Sequence, residues 1–224
     1  MDCMEGMKQF PDKYFDLAVV DPPYGIGVMT MTYTKSGAVR THGNAAAKRR
    51  DYRKQSEWDV KPPEEYFTEL RRVSKKQIVW GGNYFSDMLK PSKSFIVWDK
   101  RACDDMVNDF ADCEYAWCSN GLGVARMFRF CWNGMIQGNM KHKEERFHPT
   151  QKPIALYEWI YKRYAEPGFK ILDTHLGSGS SRIAAYNAGL EFVGYEIDKT
   201  YFDLQEQRFE KYTQQENLFL NLGL

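Results

Sequence analysis

Two short segments combine residue types that can do chemistry. Asp21-Pro22-Pro23-Tyr24 sets a carboxylate, two prolines and a phenol in four consecutive positions. Prolines fix φ and lack an N–H, so such a turn is stiff and leaves its carbonyls free. A carboxylate beside a carbonyl forms a pair of acceptors suited to an amino group with two N–H donors. Tyr24 offers a flat face on which a base can stack. The second segment is Asp173-Thr174-His175-Leu176-Gly177-Ser178-Gly179-Ser180. Its two glycines allow a sharp turn in which backbone approaches a ligand closely and the N–H groups of a following helix point at it. Glu196 lies 19 residues beyond Gly177, where a carboxylate can accept both hydroxyls of a ribose. Arg182 occupies the position a third glycine would need in a dinucleotide fingerprint. A nucleoside cofactor without a pyrophosphate fits better, and S-adenosylmethionine is the commonest of these. Either segment alone is also compatible with a structural turn; together they define a candidate site.

The elements that must carry these turns alternate between short apolar runs and helical patterns, which is the mark of an α/β sheet protein. Asp16–Val20 reads as a buried strand ending at Asp21, a position on the carboxyl edge of the sheet where open α/β folds bind ligands. Gln77–Trp80 and Ser94–Trp98 read as two further strands, with a helix over Pro63–Ser74 opened by its proline. Cys113–Cys118 alternates weakly, as an edge or antiparallel strand would. A helix follows Pro153 to about Ala165 and stops before Pro167-Gly168. Strand Phe169–Asp173, helix Ser180–Ala188, strand Phe192–Gly194 and helix Tyr201–Tyr212 complete the pattern.

Two segments break the alternation. Val28–Ser56 holds Lys35, Arg40, Lys48, Arg49, Arg50, Arg53 and Lys54 against one acid, Asp51, in a chain whose formal net charge is only +1. Ser119–Phe147 mixes Arg126, Arg129, Lys141, Lys143 and Arg146 with aromatic residues. Basicity is therefore local, which argues against a histone-like coat and for a phosphate-gripping patch. Loops of this length inside a domain are commonly functional or disordered. Apolar residues at 43% and aromatics at 15% are ample for a core. No run approaches the 18 or so apolar residues of a membrane span, and the first residues carry no secretion pattern. Five cysteines without a C-x-x-C pair suggest neither a zinc ribbon nor a disulfide framework, so the expected setting is a reducing cytoplasm and no metal.

The Asp21–Tyr24 turn, His148-Pro149-Thr150-Gln151-Lys152-Pro153 and the Gly177–Gly179 turn, in that order, resemble the motifs of the amino-methylating DNA methyltransferases of the circularly permuted beta group. Trp80-Gly81-Gly82-Asn83-Tyr84-Phe85 is similar to a segment of small phage and bacterial adenine methyltransferases, some of them parts of restriction-modification systems. The resemblance spans Asp2 to Tyr212. It implies a Rossmann-like S-adenosylmethionine methyltransferase fold, a mostly parallel sheet with one antiparallel strand. Residues 1–118 would form the catalytic half with the basic loop 28–56, 119–147 the target-recognition segment, 148–212 the cofactor half, and 213–224 a tail. Asp21 and the Pro22 carbonyl would hold the target amino group, with Pro23 stiffening the turn and Tyr24 stacking on the extruded base. Asp2, Cys3, Asp21, Thr150, Lys152, Asp173, His175, Gly177, Ser178, Gly179, Ser180 and Glu196 would surround the cofactor. Lys35, Arg40, Lys48, Arg49, Arg50, Arg53, Lys54, Arg126, Arg129 and Lys141 would contact DNA.

Against the family pattern, His175 stands where phenylalanine is usual, and the strand expected just before Asp2-Cys3 is absent. A short recognition segment makes a homodimer attractive. The motif form with aspartate leans to adenine N6 over cytosine N4. A non-catalytic DNA-binding shell and an RNA methyltransferase are the other classes open at this point. Gln215-x-x-Leu218-Phe219 resembles the peptide that docks bacterial sliding clamps, the alternative being a tail packed on its own domain.

Overall fold

The computed structural model describes residues 1–26, 59–101, 111–133 and 136–222. The chain forms two compact units, one of Met1–Pro22 with Pro63–Leu224 and one of Pro23–Pro62. In the smaller unit, Gly25 N–H donates to Asp59 Oδ1 at 2.9 Å. Lys35, Arg40, Lys48, Arg49, Arg50, Arg53 and Lys54, the basic residues expected on DNA, lie outside the described residues.

The larger unit begins with α1 (Cys3–Met7), β1 (Phe15–Val20), α2 (Glu64–Val73), β2 (Ser74–Trp80), a 3-10 turn (Gly82–Phe85), β3 (Phe95–Asp99) and β4 (Cys113–Cys118). It continues with β5 (Arg126–Arg129), β6 (Trp132–Asn133), β7 (Ile136–Gln137), α3 (Ile154–Tyr164), β8 (Lys170–Asp173), α4 (Ser180–Asn187), β9 (Glu191–Gly194) and α5 (Lys199–Leu222). Seven strands form one sheet in the order β5-β3-β4-β2-β1-β8-β9. Only β4 runs against the others: it pairs antiparallel with both β2 and β3, while the remaining pairs are parallel. β6 and β7 form a separate two-stranded hairpin.

Side-chain alternation sorts the strands onto two faces. Leu17, Val19, Ile78, Trp80, Ile96, Trp98, Ala116 and Cys118 share one cluster with Leu156, Tyr157, Ile160 and Tyr161 of α3 and with Ala184 and Ala185 of α4. Tyr66, Phe67, Leu70 and Val73 recur at helical spacing, and their burial is what holds α2. At roughly 1.5–3 kcal/mol for each fully buried large apolar side chain, such stripes outweigh the helix propensity of so short a segment. Acidic Glu64 and Glu65 in its first turn and basic Arg71 and Arg72 in its last complement the helix dipole.

Several boundaries differ from the sequence reading. Cys113–Cys118 is antiparallel as expected, but it is interior rather than an edge; its outer residues are partly exposed at one end, which weakens the alternation. Residues 119–147 were expected to lack regular elements and instead contribute β5 to the sheet and the β6–β7 hairpin. α5 does not stop at Tyr212 but runs on to Leu222, so the proposed tail is helical backbone. Gln215 is exposed on it, and the side chains of Leu218 and Phe219 lie outside the described residues. No helix among the described residues is long and apolar enough to cross a membrane.

Gly81 turns the chain at the end of β2 with φ 66°, and Gly82 packs directly on β4. A Cβ at Gly82 would stand 2.5 Å from the Trp117 Cβ and 2.9 Å from its backbone nitrogen. Backbone cannot rotate away, so Gly82→Ala should destabilise by about 1–3 kcal/mol. Urea unfolding would show this as a lowered midpoint at unchanged slope; an unmoved midpoint would mean that the turn relaxes without cost.

Candidate functional site

The carboxyl ends of β1, β2, β8 and β9 deliver one residue or turn each to the same sheet edge: Asp21, Trp80, Asp173 and Glu196. β1 pairs with β8 through Leu17–Ile171 and Ala18–Leu172. Both strands end at this edge, where the charge of Asp21 acts on the Asp173 carboxyl. The two turns singled out in the sequence, about 150 residues apart, are thus neighbours because their strands pair.

Lys152 is the charge at the centre of this edge. Its Nζ donates to Asp21 Oδ2 at 2.5 Å and lies 3.1 Å from Glu114 Oε2. It also sits 5.4 Å over the Trp80 ring. The side chain is only 4% exposed. Burial opposes its charge, but Asp21 and Glu114 override burial and hold the ammonium above the usual lysine range. Glu114 in turn is bound by Lys100 at 3.0 Å, and Lys100 lies 5.8 Å over Trp98. Burial pushes the Glu114 carboxyl up, but Lys152 and Lys100 bring it below the carboxylate range. The result is an alternating row: Lys100, Glu114, Lys152, Asp21.

The chain around Lys152 explains its aim. Gln151, 3% exposed, accepts from Trp132 Nε1 through its backbone oxygen at 2.8 Å. Its side chain donates to the Glu145 carbonyl and accepts from Phe147 N–H. Pro153 opens α3 without a side-chain cap of its own. Glu144 supplies that cap, accepting Ile154 N–H at 3.0 Å while its other oxygen takes Arg208 at 2.7 Å. With 151 and 153 both fixed, residue 152 has one direction left, inward.

The glycine turn is pinned from β9. Leu176 N–H donates to the Tyr195 carbonyl at 2.8 Å, and Gly177 N–H to Glu196 Oε2 at 2.8 Å. Glu196 Oε1 accepts Asp198 N–H at 2.9 Å, and burial pushes this carboxyl up. Gly177 and Gly179 have φ values of 53° and 74°, which favour glycine. A Cβ on Gly177 would reach the His148 ring, and one on Gly179 would come within 3.1 Å of Gln205. Both glycines thus pack against side chains of the segment before α3 and of α5. Asp173, fully buried, takes His175 N–H at 3.1 Å and the Ser181 hydroxyl. Burial, with the charges of Asp21 and Glu196 adding to it, lifts its carboxyl to about 7 against those two hydrogen bonds.

Other expected residues fall as follows. Asp2 caps α1, accepting Met4 N–H at 2.7 Å. Gly6 on α1 abuts the Tyr195 ring, which brings Asp2 and Cys3 to the Glu196 turn. Burial raises the Cys3 thiol to about 11, so it is a weak nucleophile. Thr150 is exposed and lies 3.2 Å from His148 Nδ1. His175 is bonded through Thr174 Oγ1 (2.9 Å) to the Tyr66 hydroxyl (2.6 Å); burial lowers it to about 4, a neutral ring edge-on to Tyr66. Ser178 and Ser180 are buried, their hydroxyls 3.1 Å apart. Arg129 on β5 pairs with Asp99 at 3.0 Å, while Arg126 and Lys141 are exposed. Pro22 is buried beside Asp21, whereas Pro23 and Tyr24 belong to the smaller unit. Cys3, Cys113 and Cys118 are free thiols, and no metal-ligating cluster is present among the described residues.

Sequence reasoning missed Glu114, and quoted Trp80 and Gln151 within motifs without giving them a role. A signal existed for the first: in Cys113–Cys118 the parity of Ala116 and Cys118 puts an acid on an otherwise apolar face.

Residues 125–207 match a family model described as DNA methylase. The type II methyltransferase M.BglII of Bacillus subtilis is 36% identical over 81 residues, 36% of this chain and 22% of that protein. The type II methyltransferase M2.DpnII of Streptococcus pneumoniae is 36% identical over 89 residues, 40% of this chain and 33% of that protein. The chain thus aligns with only a fifth to a third of the length of these relatives. Among solved structures, a complex of M1.HpyAVI with SAM superposes with TM-score 0.54 at 20% identity, covering 92% of this chain and 96% of that one. The cytosine-N4-specific PvuII DNA methyltransferase gives 0.58 at 15% identity, covering 99% and 91%. The α/β fold of this chain is the one those methyltransferases share.

Asp173 sets a pH dependence of stability. Its unfolded carboxyl ionises near 3.8 and its folded one near 7, so the native state keeps a proton that the unfolded chain releases across that window. This contribution is fully present below pH 3.8 and is lost as pH rises through 7. Asp173→Asn should therefore be more stable than wild type at alkaline pH, by on the order of 2–4 kcal/mol. Thermal melts in acid should show the gap closing; a gap independent of pH would contradict the assignment.

Proposed function

We propose that this chain is an S-adenosylmethionine-dependent DNA methyltransferase that methylates the exocyclic N6 amino group of adenine. The observation that carries the reading is the parallel pairing of β1, which ends at the Asp21 turn, with β8, which leads into the Gly177–Gly179 turn. The family match over 125–207 and the shared fold support it. The order of segments, with the catalytic strand β1 ahead of the cofactor strand β8, is read as a circular permutation.

The residues fit a nucleoside cofactor. Gly177 and Gly179 hold the positive φ values of a tight turn, in which backbone can approach a ligand closely, and Glu196 reaches the turn as a hydroxyl acceptor. Asp173 and Thr150 would face the methionine end and Cys3 the adenine. When bound, S-adenosylmethionine supplies an electrophilic methyl group on a sulfonium. The chain's task is to make a poor nucleophile competent, since the amino lone pair of adenine is delocalised into its ring. Asp21 and the Pro22 carbonyl would accept the two amino hydrogens, so that the nitrogen pyramidalises and its lone pair points at the methyl. The Asp21 carboxylate would be the group placed to take the proton that the amino nitrogen gives up. Holding partners in such a geometry can contribute on the order of 7–11 kcal/mol. The base must leave the duplex stack, at a cost of a few kcal/mol; the candidates that the sequence offers for stacking on it and for the phosphates are Tyr24 and the basic residues of 28–56.

A second reading, cytosine N4, is favoured by the superposition on a cytosine-N4-specific enzyme. Acceptor chemistry is the same for both bases. Digesting DNA from cells that express the protein and measuring modified nucleosides by mass spectrometry separates them, with N6-methyladenine expected. Asp21→Ala should abolish methyl transfer, by about a thousandfold or more, while calorimetry still detects cofactor binding. Unmodified DNA with the wild-type chain, or full transfer by Asp21→Ala, would refute the proposal.

A further inference from the structure

The sequence motifs account for Asp21 and Lys152 but not for what else touches Lys152. Glu114 reaches it from β4, and it can do so only because β4 is reversed. The register sets Glu114 opposite Trp98 and Ala116 opposite Trp80, so the beginning of β4 lies at the edge where its neighbours end. Parity then puts Glu114 on the face of Trp80, Trp98 and α3, the face to which Lys152 points. An acid here carries a cost: taking an ion out of water costs several kcal/mol, and an apolar residue in its place is often neutral or stabilising. The fold tolerates four ionic groups in a row where an apolar seam would serve packing as well.

We propose that Glu114 is a positioning residue for methyl transfer: by sharing the Lys152 ammonium with Asp21, it fixes the direction of the carboxylate that holds the target amino group. An ammonium has three donors on a rotatable stem. Bound to Asp21 alone, it could swing and take the carboxylate with it. Bound at 2.5 Å to Asp21 and 3.1 Å to Glu114, with the Trp80 ring beneath, it has three points of contact and a single orientation. Lys100 anchors Glu114 from the other side. Trp80 Nε1 is buried without a hydrogen-bond partner, so the ring acts here through its face. Geometry of this kind matters because misplacement by about 1 Å can cost a hundredfold in rate.

The charged and titratable groups facing this row are known. Asp21 comes from β1, Glu114 from β4, Lys100 from β3, and His148, neutral with burial holding it at about 4, from the segment before α3. Asp173 from β8, Tyr66 from α2 and Tyr157 from α3 face Asp21, both tyrosine hydroxyls being pushed up by burial. Only Asp21 and Glu114 raise Lys152. Removing the Glu114 charge should therefore release the Lys152 proton at lower pH.

The inference rests on the methyl-transfer reading, and the test separates the two. Methyl transfer to DNA by the full chain is followed from neutral pH to about pH 10, with cofactor binding measured by calorimetry. Glu114→Gln keeps the shape and loses the charge. It should lower kcat by about ten- to a hundredfold, leave KM for DNA and cofactor affinity within about threefold, and bring into the upper end of this pH range an alkaline limb that lies above it in the wild-type chain. Glu114→Asp keeps the charge but pulls it back by one methylene; it should lose kcat with the limb still above the range, and it decides the matter should Glu114→Gln fail to fold. Wild-type kcat and an unmoved limb in Glu114→Gln, or wild-type kcat in Glu114→Asp, would overturn the positioning role while leaving the methyltransferase assignment standing. A wild-type chain that transfers no methyl group overturns both.

Discussion

A lysine ammonium held out of water between two carboxylates organises this protein's sheet edge. Such a charge is tolerated only where its partners are in place, because breaking a buried pair by removing one member costs roughly 3–5 kcal/mol. Lys152 therefore requires β1 to end where Asp21 reaches it, β4 to begin where Glu114 reaches it, and the segment before α3 to be clamped through Gln151. These are three separate stretches of chain. Each is fixed by ordinary packing, and the ion row is satisfied only when all three are correct.

Strand direction is the second constraint. In a wholly parallel sheet, residues near strand beginnings and strand ends lie on opposite edges. Reversing β4 between β2 and β3 brings its first residues to the ligand edge without lengthening any connection across the sheet. The same reversal lets Gly82 pack on Trp117, which is why that glycine has no room for a side chain. On the other side of Asp21, the glycine turn obtains its shape from β9, whose Tyr195 and Glu196 hold Leu176 and Gly177. One edge thus joins a charged half, built by β1 and β4, to a backbone-lined half, built by β8 and β9.

Much of this is legible in the sequence. Continuous apolar runs bounded by turn residues identify β1, β2, β3 and β8, because strands buried on both faces read that way. The turn at Asp21 and the glycine turn stand out because proline and glycine act locally, on φ itself. β5, β6 and β7 are not legible: Arg126-Met127-Phe128-Arg129 is an edge strand with three exposed residues, so its burial leaves no periodic trace. The end of α5 is missed for the converse reason, since Thr213-Gln214-Gln215 resembles a terminus while the helix continues through it. Cys113–Cys118 shows alternation enough for a strand, yet alternation is the same at an edge and in the interior.

By itself, then, the sequence determined the local chemistry: a stiff carboxylate turn, a glycine turn with an acid 19 residues on that suits a nucleoside, and a lysine set just before a proline. These follow from properties that each residue carries wherever it is placed. Tertiary structure alone decided that β1 and β8 are neighbours, that β4 is reversed, and that Glu114 and Trp80 meet Lys152. Those outcomes depend on which strand pairs with which and in what direction. That choice is settled by the burial of a whole face at once, and no short stretch of residues contains it.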